Sequence, residues 1–148
     1  MTQIVKLKTG SPAETRGSYS RAVAVDNLIF VSNTAGRNPD TKLIPADLRE
    51  QTFQVLANIE RALNAVDAVL EDVIAARVYI QFPQDIDEVM SAYAERMKGI
   101  EPAFTLTSPP LGSPEFKVEI EVTAWRGASN ASIRNIDIGT IRNIDIGS

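Results

Sequence analysis

Hydrophobic positions along most of the chain follow one of two periods, and the periods assign the elements. Residues 117–125 alternate strictly. Val118, Ile120, Val122 and Ala124 point one way, and Lys117, Glu119, Glu121, Thr123 and Trp125 point the other. That pattern is a strand with one apolar and one polar face. Residues 73–82 (VIAARVYIQF) form another, with Ile74, Ala76, Val78, Ile80 and Phe82 on its apolar face and Ala75, Arg77, Tyr79 and Gln81 on the other. Pro83 ends it. Residues 20–25 and 28–32 are strand-like runs separated by Asp26-Asn27, a pair that tolerates the positive φ of a tight turn, so they are antiparallel neighbours. Residues 2–7 alternate weakly as an edge strand. A further short strand after residue 101 leads into a loop stiffened by Pro109, Pro110 and Pro114.

Elsewhere the spacing changes to three and four. In residues 45–67, Leu48, Thr52, Val55, Ile59, Ala62, Leu63 and Val66 make one stripe of a helix. Pro45 suits its first turn, and Asp47 and Glu50 suit the positive end of its dipole. In residues 85–98 the stripe is Ile86, Val89, Met90, Tyr93 and Met97. Asp85 and Glu88 resemble a capping box, and Gly99 is the stop. Residues 10–17 and 33–43 read as loops, and residues 38–42 as a type I turn at a hairpin tip.

Strands and helices in this order predict an α+β protein with one sheet and both helices on a single face. The other face then carries Arg77, Tyr79, Glu119, Glu121 and Trp125. It is too mixed for a core and too aromatic for plain solvent, and buried charge is costly unless paired. Burial against other copies of the chain, in a closed oligomer, is the expected solution.

Composition narrows the chemistry. The chain has 148 residues, 44% of them hydrophobic and 23% charged, with net charge −4. No Lys/Arg cluster suggests a phosphate-backbone partner, so nucleic-acid binding is not expected. No apolar run reaches the ~18 residues of a membrane span, and the expected location is cytoplasmic. There is no cysteine and no histidine. That excludes disulfides, thiol nucleophiles, the usual zinc sites and Ser-His or Cys-His pairs. Acid–base chemistry falls to carboxylates, Tyr, Lys, Arg or water. No metal site or cofactor is expected.

Three segments resemble one known family. GSYSRAVAVDNLIFVSN is similar to the opening of the Rid family, also called the YjgF or reactive-intermediate deaminase family. QTFQVLANIERALNAVDAVLEDVIAARVYI resembles its helix–strand core, and VEIEVTAW its last strand. The resemblance covers residues 1–126. It implies a chorismate-mutase-like (YjgF-like) fold and a homotrimer, with three mixed sheets forming an inner β-barrel and small-molecule clefts between subunits. Carried over residue by residue, it implies a cleft using Tyr19, the Ser32 region and the acidic Glu119, which positions the water in deaminating members. Asn33, Phe104 and Thr105 then line it. Deaminating members carry a Pro-Ala-Arg segment whose arginine binds the substrate carboxylate; here the triplet is Pro102-Ala103-Phe104. A guanidinium offers two parallel charge-assisted bonds and Phe offers none. Arg21 or Arg77 is the available substitute.

The expectation is therefore a non-deaminating or non-canonical member binding a neutral or apolar ligand. The alternative is a 2-iminobutanoate/2-iminopropanoate-type enamine/imine deaminase of altered specificity, a hydrolase using Glu119. Glu119 is also open to a plain reading, as an ion pair with Lys117, Arg77 or a neighbouring subunit.

Residues 133–148 stand apart. A linker-like stretch, 127–132, precedes IRNIDIGT and IRNIDIGS, identical heptads at a period of eight. They read as an appended segment, engineered or natural, which would make the trimer an assembly scaffold. A hairpin turning at Gly139-Thr140 and a three-stranded β-helix are both open for it. Six isoleucines exceed what one isolated hairpin can bury, so association with other copies is expected.

Overall fold

The computed structural model describes residues 1–141. Strands β1 (Ile4–Leu7), β2 (Ala22–Val25), β3 (Leu28–Ala35), β4 (Val73–Ile80), β5 (Ala103–Thr107) and β6 (Val118–Trp125) form one sheet in the order β1-β2-β3-β6-β4-β5. Neighbours are antiparallel except β4 and β5, which run parallel. The strictly alternating β6 lies inside the sheet, between β3 and β4. Helices α2 (Leu48–Ala65) and α3 (Ile86–Met97) supply the crossovers from β3 to β4 and from β4 to β5.

Register explains the core. One row joins Ala22, Val31, Val122, Ala76 and Phe104 across all the strands after β1. Its first four members are buried under α2 and α3 with Ile29, Val78, Ile80, Val118, Ile120 and Ala124. Leu56, Ile59 and Leu63 of α2 and Val89, Tyr93 and Met97 of α3 close that side. Both helices lie on one face, as their apolar stripes predict.

Several local expectations are corrected. Residues 10–17 are not all loop, because α1 (Pro12–Gly17) forms there. Ser11 accepts from the Ala13 N–H, Pro12 fits the first turn, and Ser18 ends the helix at φ 55°. The loop-forming residues are its caps. Helix α2 begins after Pro45, with Asp47 capping the Glu50 N–H at 2.9 Å. The capping box at Asp85 is not formed. A 3₁₀ turn at Pro83–Asp85 holds Asp85 in helical backbone, whereas a cap needs extended backbone. Gly99, at φ 84°, does stop α3. The Asn38 carboxamide accepts from the N–H groups of Asp40 and Thr41, but the chain then enters α2, so this turn is no hairpin tip. Ile74 leaves the apolar face as well. The β4–β6 register shifts between Val73 and Ala75, which puts Val73 in the core and Ile74 outside.

The domain ends in a fixed exit. Arg126 donates to the carbonyls of Val66 (2.9 Å) and Asp26 (2.7 Å). Buried Asp72 accepts from the N–H groups of Ser129 (2.8 Å) and Val69 (3.0 Å). Burial opposes its charge, but these N–H bonds outweigh burial and the Asp72 pKa is lowered. Its contribution to stability is therefore full above the unfolded-state value and is lost as pH falls through the lower folded value. Asp72→Asn turns an amide donor toward one of those N–H groups. We expect a loss of about 1–3 kcal/mol in urea unfolding near neutral pH, and a difference from the parent that shrinks toward pH 2. A constant difference would contradict this account.

Beyond Asn130 the chain follows no regular element until Ile138–Ile141, a 3₁₀ turn at whose start Asp137 accepts from the Gly139 N–H at 2.8 Å. All of the second repeat after Ile141 lies outside the described residues, and with it the test of hairpin against β-helix.

Candidate functional site

The face of the sheet away from the helices is uncovered. Its rows read Val23, Phe30, Thr123, Ala75, Ala103; then Glu121, Arg77, Thr105; then Ala35, Glu119, Tyr79, Thr107. Phe30, Ile74 and Trp125 are 46%, 43% and 48% exposed. Arg77 lies 3.8 Å from Glu121, whose carboxylate also accepts from the Tyr79 hydroxyl. That bond, then desolvation, raises the Tyr79 pKa. The hollow beside them, lined by Ala75, Arg77, Glu121 and Thr123, measures about 10 Å³, room for one water.

The candidate site grows from a bulge in β3. Val31 pairs with Val122 and Thr34 with Ile120, so Ser32 and Asn33 together oppose the single residue Glu121. The extra residue aims Asn33 at Glu119, and its Nδ2 donates to Oε1 at 2.7 Å. Glu119 is half-buried, and burial raises its pKa. Neither cation of the same protomer named for Glu119 pairs with it: Arg77 pairs with Glu121, and Lys117 lies over the Phe82 ring at 4.8 Å. The Ser32 hydroxyl donates to the Ser20 carbonyl at 2.7 Å, fixing the turn into β2.

Arg21 joins these pieces. It donates to the Asn33 carbonyl (3.0 Å), the Thr34 hydroxyl (3.2 Å) and the Tyr19 hydroxyl (3.4 Å), and lies over the Tyr19 ring. Its Nε is 3.5 Å from Glu14, a buried carboxylate of α1. Burial alone would raise the Glu14 pKa; the Thr9 hydroxyl and N–H and the Arg21 charge outweigh burial, and the net shift is downward. Glu14 thus stays ionised and neutralises Arg21. The loop reading of residues 10–17 hid Glu14. Its only sequence signal is an acidic residue in the first turn after a Ser-Pro start.

Asn33 and Glu119 therefore meet within one protomer, while Arg21 ties the Tyr19 hydroxyl to the Asn33 carbonyl and Ser32 holds the Ser20 carbonyl beside the same bulge. Phe104 and Thr105 do not join them. They lie on β5, beyond β4 from Glu119 and at the edge of the sheet. Phe104 faces the helix side and packs on Tyr93, with ring centroids 5.4 Å apart, while Thr105 lies on the open side beside Arg77. The Tyr93 hydroxyl is buried with no hydrogen-bond partner among the described residues, and desolvation pushes its pKa up to about 12. Among the described residues no group of three Asp, Glu, His or Cys side chains is placed to hold a metal.

Comparison with known proteins agrees with this architecture. The sequence pattern of the family described as endoribonuclease L-PSP matches residues 9–126. A RutC family protein of Pyrococcus horikoshii is 31% identical over 74% of this chain and 88% of its own. A 2-iminobutanoate/2-iminopropanoate deaminase of Rattus norvegicus is 29% identical over 86% and 95%. The crystal structure of a YjgF/YER057c/UK114 family member from Mycobacterium tuberculosis superposes with TM-score 0.75 at 31% identity, covering 83% of this chain and 99% of that one.

Proposed function

From the premise that this chain belongs to the endoribonuclease L-PSP family, also known as YjgF or Rid, we propose that it forms a closed trimer whose intersubunit clefts bind a small uncharged or apolar metabolite. The uncovered sheet face supports the assembly. Phe30, Ile74 and Trp125 sit there around the Arg77–Glu121 pair, and symmetric copies would bury the apolar surface and the ion pair together. The 10 Å³ hollow of one protomer admits no metabolite, so a cleft needs a second copy.

One observation carries the ligand class. Of the three positions that could clamp a carboxylate, none offers an unopposed guanidinium fork, since Arg77, although exposed, lies 3.8 Å from the Glu121 carboxylate. Position 104 is a Phe stacked on Tyr93, and Arg21 is spent on Glu14, Asn33, Thr34 and Tyr19. What remains is a carboxyl of raised pKa held by an amide. Such a set hydrogen-bonds neutral carbonyl, amide or imine groups and repels a carboxylate. RNA cleavage, which the family description names, fits poorly, since net charge is −4 and there is no histidine.

A second reading rests on Glu119 itself. A half-buried carboxyl of raised pKa suits general acid–base work, and two relatives are named as imine deaminases. In that reading Glu119 orients water for hydrolysis of an imine or enamine to a ketone and ammonia. The deciding assay follows 2-oxoacid release from freshly generated 2-iminobutanoate. Under the first reading the rate stays at the uncatalysed level. Turnover that disappears in Glu119→Gln would establish the second. No helix of the described residues is long and apolar enough to cross a membrane.

A further inference from the structure

Two carboxylates are buried among the described residues, Asp72 and Glu14. Asp72 serves the backbone N–H groups at the exit of the domain. Glu14 differs, because it also faces a guanidinium. It accepts from the Thr9 N–H at 3.0 Å and from the Thr9 hydroxyl, and Arg21 Nε lies 3.5 Å away. A buried ion pair seldom offsets the desolvation of both partners, so stability alone is a weak reason for a charge here. An amide of the same shape would keep both Thr9 bonds. Its carbonyl accepts from the N–H, and its NH₂ donates to the hydroxyl. The negative charge is needed only for what it does to Arg21.

Arg21 is the cation nearest the bulge. Its side chain is only 15% exposed, and its other N–H groups meet neutral acceptors: the Asn33 carbonyl, the Thr34 hydroxyl and the Tyr19 hydroxyl. Among the described residues, Glu14 alone meets it with opposite charge. A guanidinium so far removed from water needs an anion, and without Glu14 it would take one from solution. The approach is from the Tyr19 side. There Nη2 has only the Tyr19 hydroxyl, at a long 3.4 Å, and Tyr19 itself is 36% exposed. Asn33 links this place to the candidate site, since its carbonyl meets Arg21 and its amide holds Glu119. Lys8 is no second clamp. Its ammonium lies on the Tyr19 carbonyl at 3.1 Å but is exposed, and hydration screens its charge.

We propose that Glu14 is a specificity-determining residue, which holds the charge of Arg21 and so closes the site to small carboxylates while leaving it to neutral ligands. Glu14 touches no ligand in this account. It acts through Arg21, and neutralising Glu14 converts Arg21 from a scaffold residue into an anion-binding one. The inference deepens the cleft reading and rests on it for the class of ligand admitted. The contacts that carry it all lie within one protomer.

The test titrates two probes into full-length protein by calorimetry: 2-oxobutanoate, a stable carboxylate, and butanamide, a neutral compound of similar size. Glu14→Gln is expected to bind 2-oxobutanoate at least about tenfold more tightly than the unsubstituted protein, the low end for hydrogen bonds to a charged group. Butanamide is expected to show no such gain. Adding Arg21→Gln to Glu14→Gln should return 2-oxobutanoate to the affinity of the unsubstituted protein. Equal affinity for 2-oxobutanoate in Glu14→Gln and the unsubstituted protein would overturn the proposal. A gain that survives the loss of Arg21 would overturn it too. If Glu14→Gln fails to fold while the double variant folds, the pair is scaffold only and the proposal falls. The cleft reading is judged separately, by the mass of the unsubstituted protein and its affinity for butanamide. Its failure leaves the 2-oxobutanoate comparison readable, because that comparison needs only one protomer.

Discussion

Gln51→Leu is expected to destabilise the protein by about 3–5 kcal/mol, the sum of several buried polar groups left without partners. Gln51 is fully buried in the first turn of α2. Its Nε2 donates to the carbonyls of Pro45 (2.7 Å) and Glu115 (3.0 Å), and its Oε1 accepts from the N–H groups of Lys117 (2.7 Å) and Val118 (3.3 Å). One side chain thus ties the entry of the helix, the proline-rich loop and the start of β6, the strand that carries Glu119. Leucine matches the volume and satisfies none of the four groups. Glutamate keeps the acceptor but faces two carbonyls with a carboxylate, so it does not rescue. The backbone has no slack to adjust, because a Cβ on Gly36 would lie 2.8 Å from both Cγ and the carbonyl of Gln51. Urea unfolding at fixed protomer concentration reads the effect as a lower midpoint at unchanged slope. A loss under ~1 kcal/mol would mean that water replaces the side chain and that the loop is held elsewhere. Gln81 is the candidate for that, since it holds Leu111, Ser113 and Phe116.

What the sequence disclosed follows from where the physics is local. The alternation of β6 is a period-two pattern over a whole strand, and the structure keeps it without exception, with Val118, Ile120, Val122 and Ala124 buried and their neighbours facing out. The stripe of α2 is equally local. Ile74 was misplaced because a bulge is a property of two strands, and β4 alone gives no sign that its register against β6 will slip. Asp85 failed as a cap because a 3₁₀ turn starting at Pro83, with the Asp85 N–H on the Phe82 carbonyl at 2.9 Å, already holds it in helical backbone. The polar residues of the QTFQVLAN segment drew attention as family signature. In the structure they are backbone satisfiers: Gln51 as above, Thr52 to the Leu48 carbonyl, and Asn58 to the carbonyls of Ala35 and Arg37.

The candidate site was legible in the same uneven way. Asn33 and Glu119 come together although 86 positions separate them, and Tyr19 and Ser32 are tied to the same bulge through Arg21 and Ser20. The resemblance supplied that list, and a bulge supplies the geometry. The Glu14–Arg21 pair was invisible as a unit, because a carboxylate in one loop and an arginine beyond it acquire meaning only when α1 folds back on Thr9 and β2. Burying that pair fixes Tyr19 and the bulge together. It also withdraws Arg21 from ligand binding, and this weighs against a carboxylate-bearing ligand more strongly than the missing arginine alone.

Restoring an arginine at position 104 is the decisive gain-of-function experiment for the cleft. In Phe104→Arg the guanidinium replaces a ring that is 42% exposed, so the loss of packing on Tyr93 stays below ~1.5 kcal/mol. A bidentate bond to a carboxylate contributes about 1.5–3 kcal/mol, which corresponds to roughly 10–150-fold in kcat/KM. Where Glu119 orients water, as in the second reading, we expect kcat/KM for 2-iminobutanoate to rise by that factor over the unsubstituted protein. Most of the gain should lie in KM, since the carboxylate is held equally in ground and transition states. Adding Glu119→Gln to Phe104→Arg should return the rate to background, because binding without a group to position water gives no turnover. If Phe104→Arg keeps fold and mass yet gains nothing, position 104 does not face a cleft that contains Glu119. Phe104 would then be only a lid on Tyr93, and the ligand-binding face would have to be sought around Arg77 and Glu121.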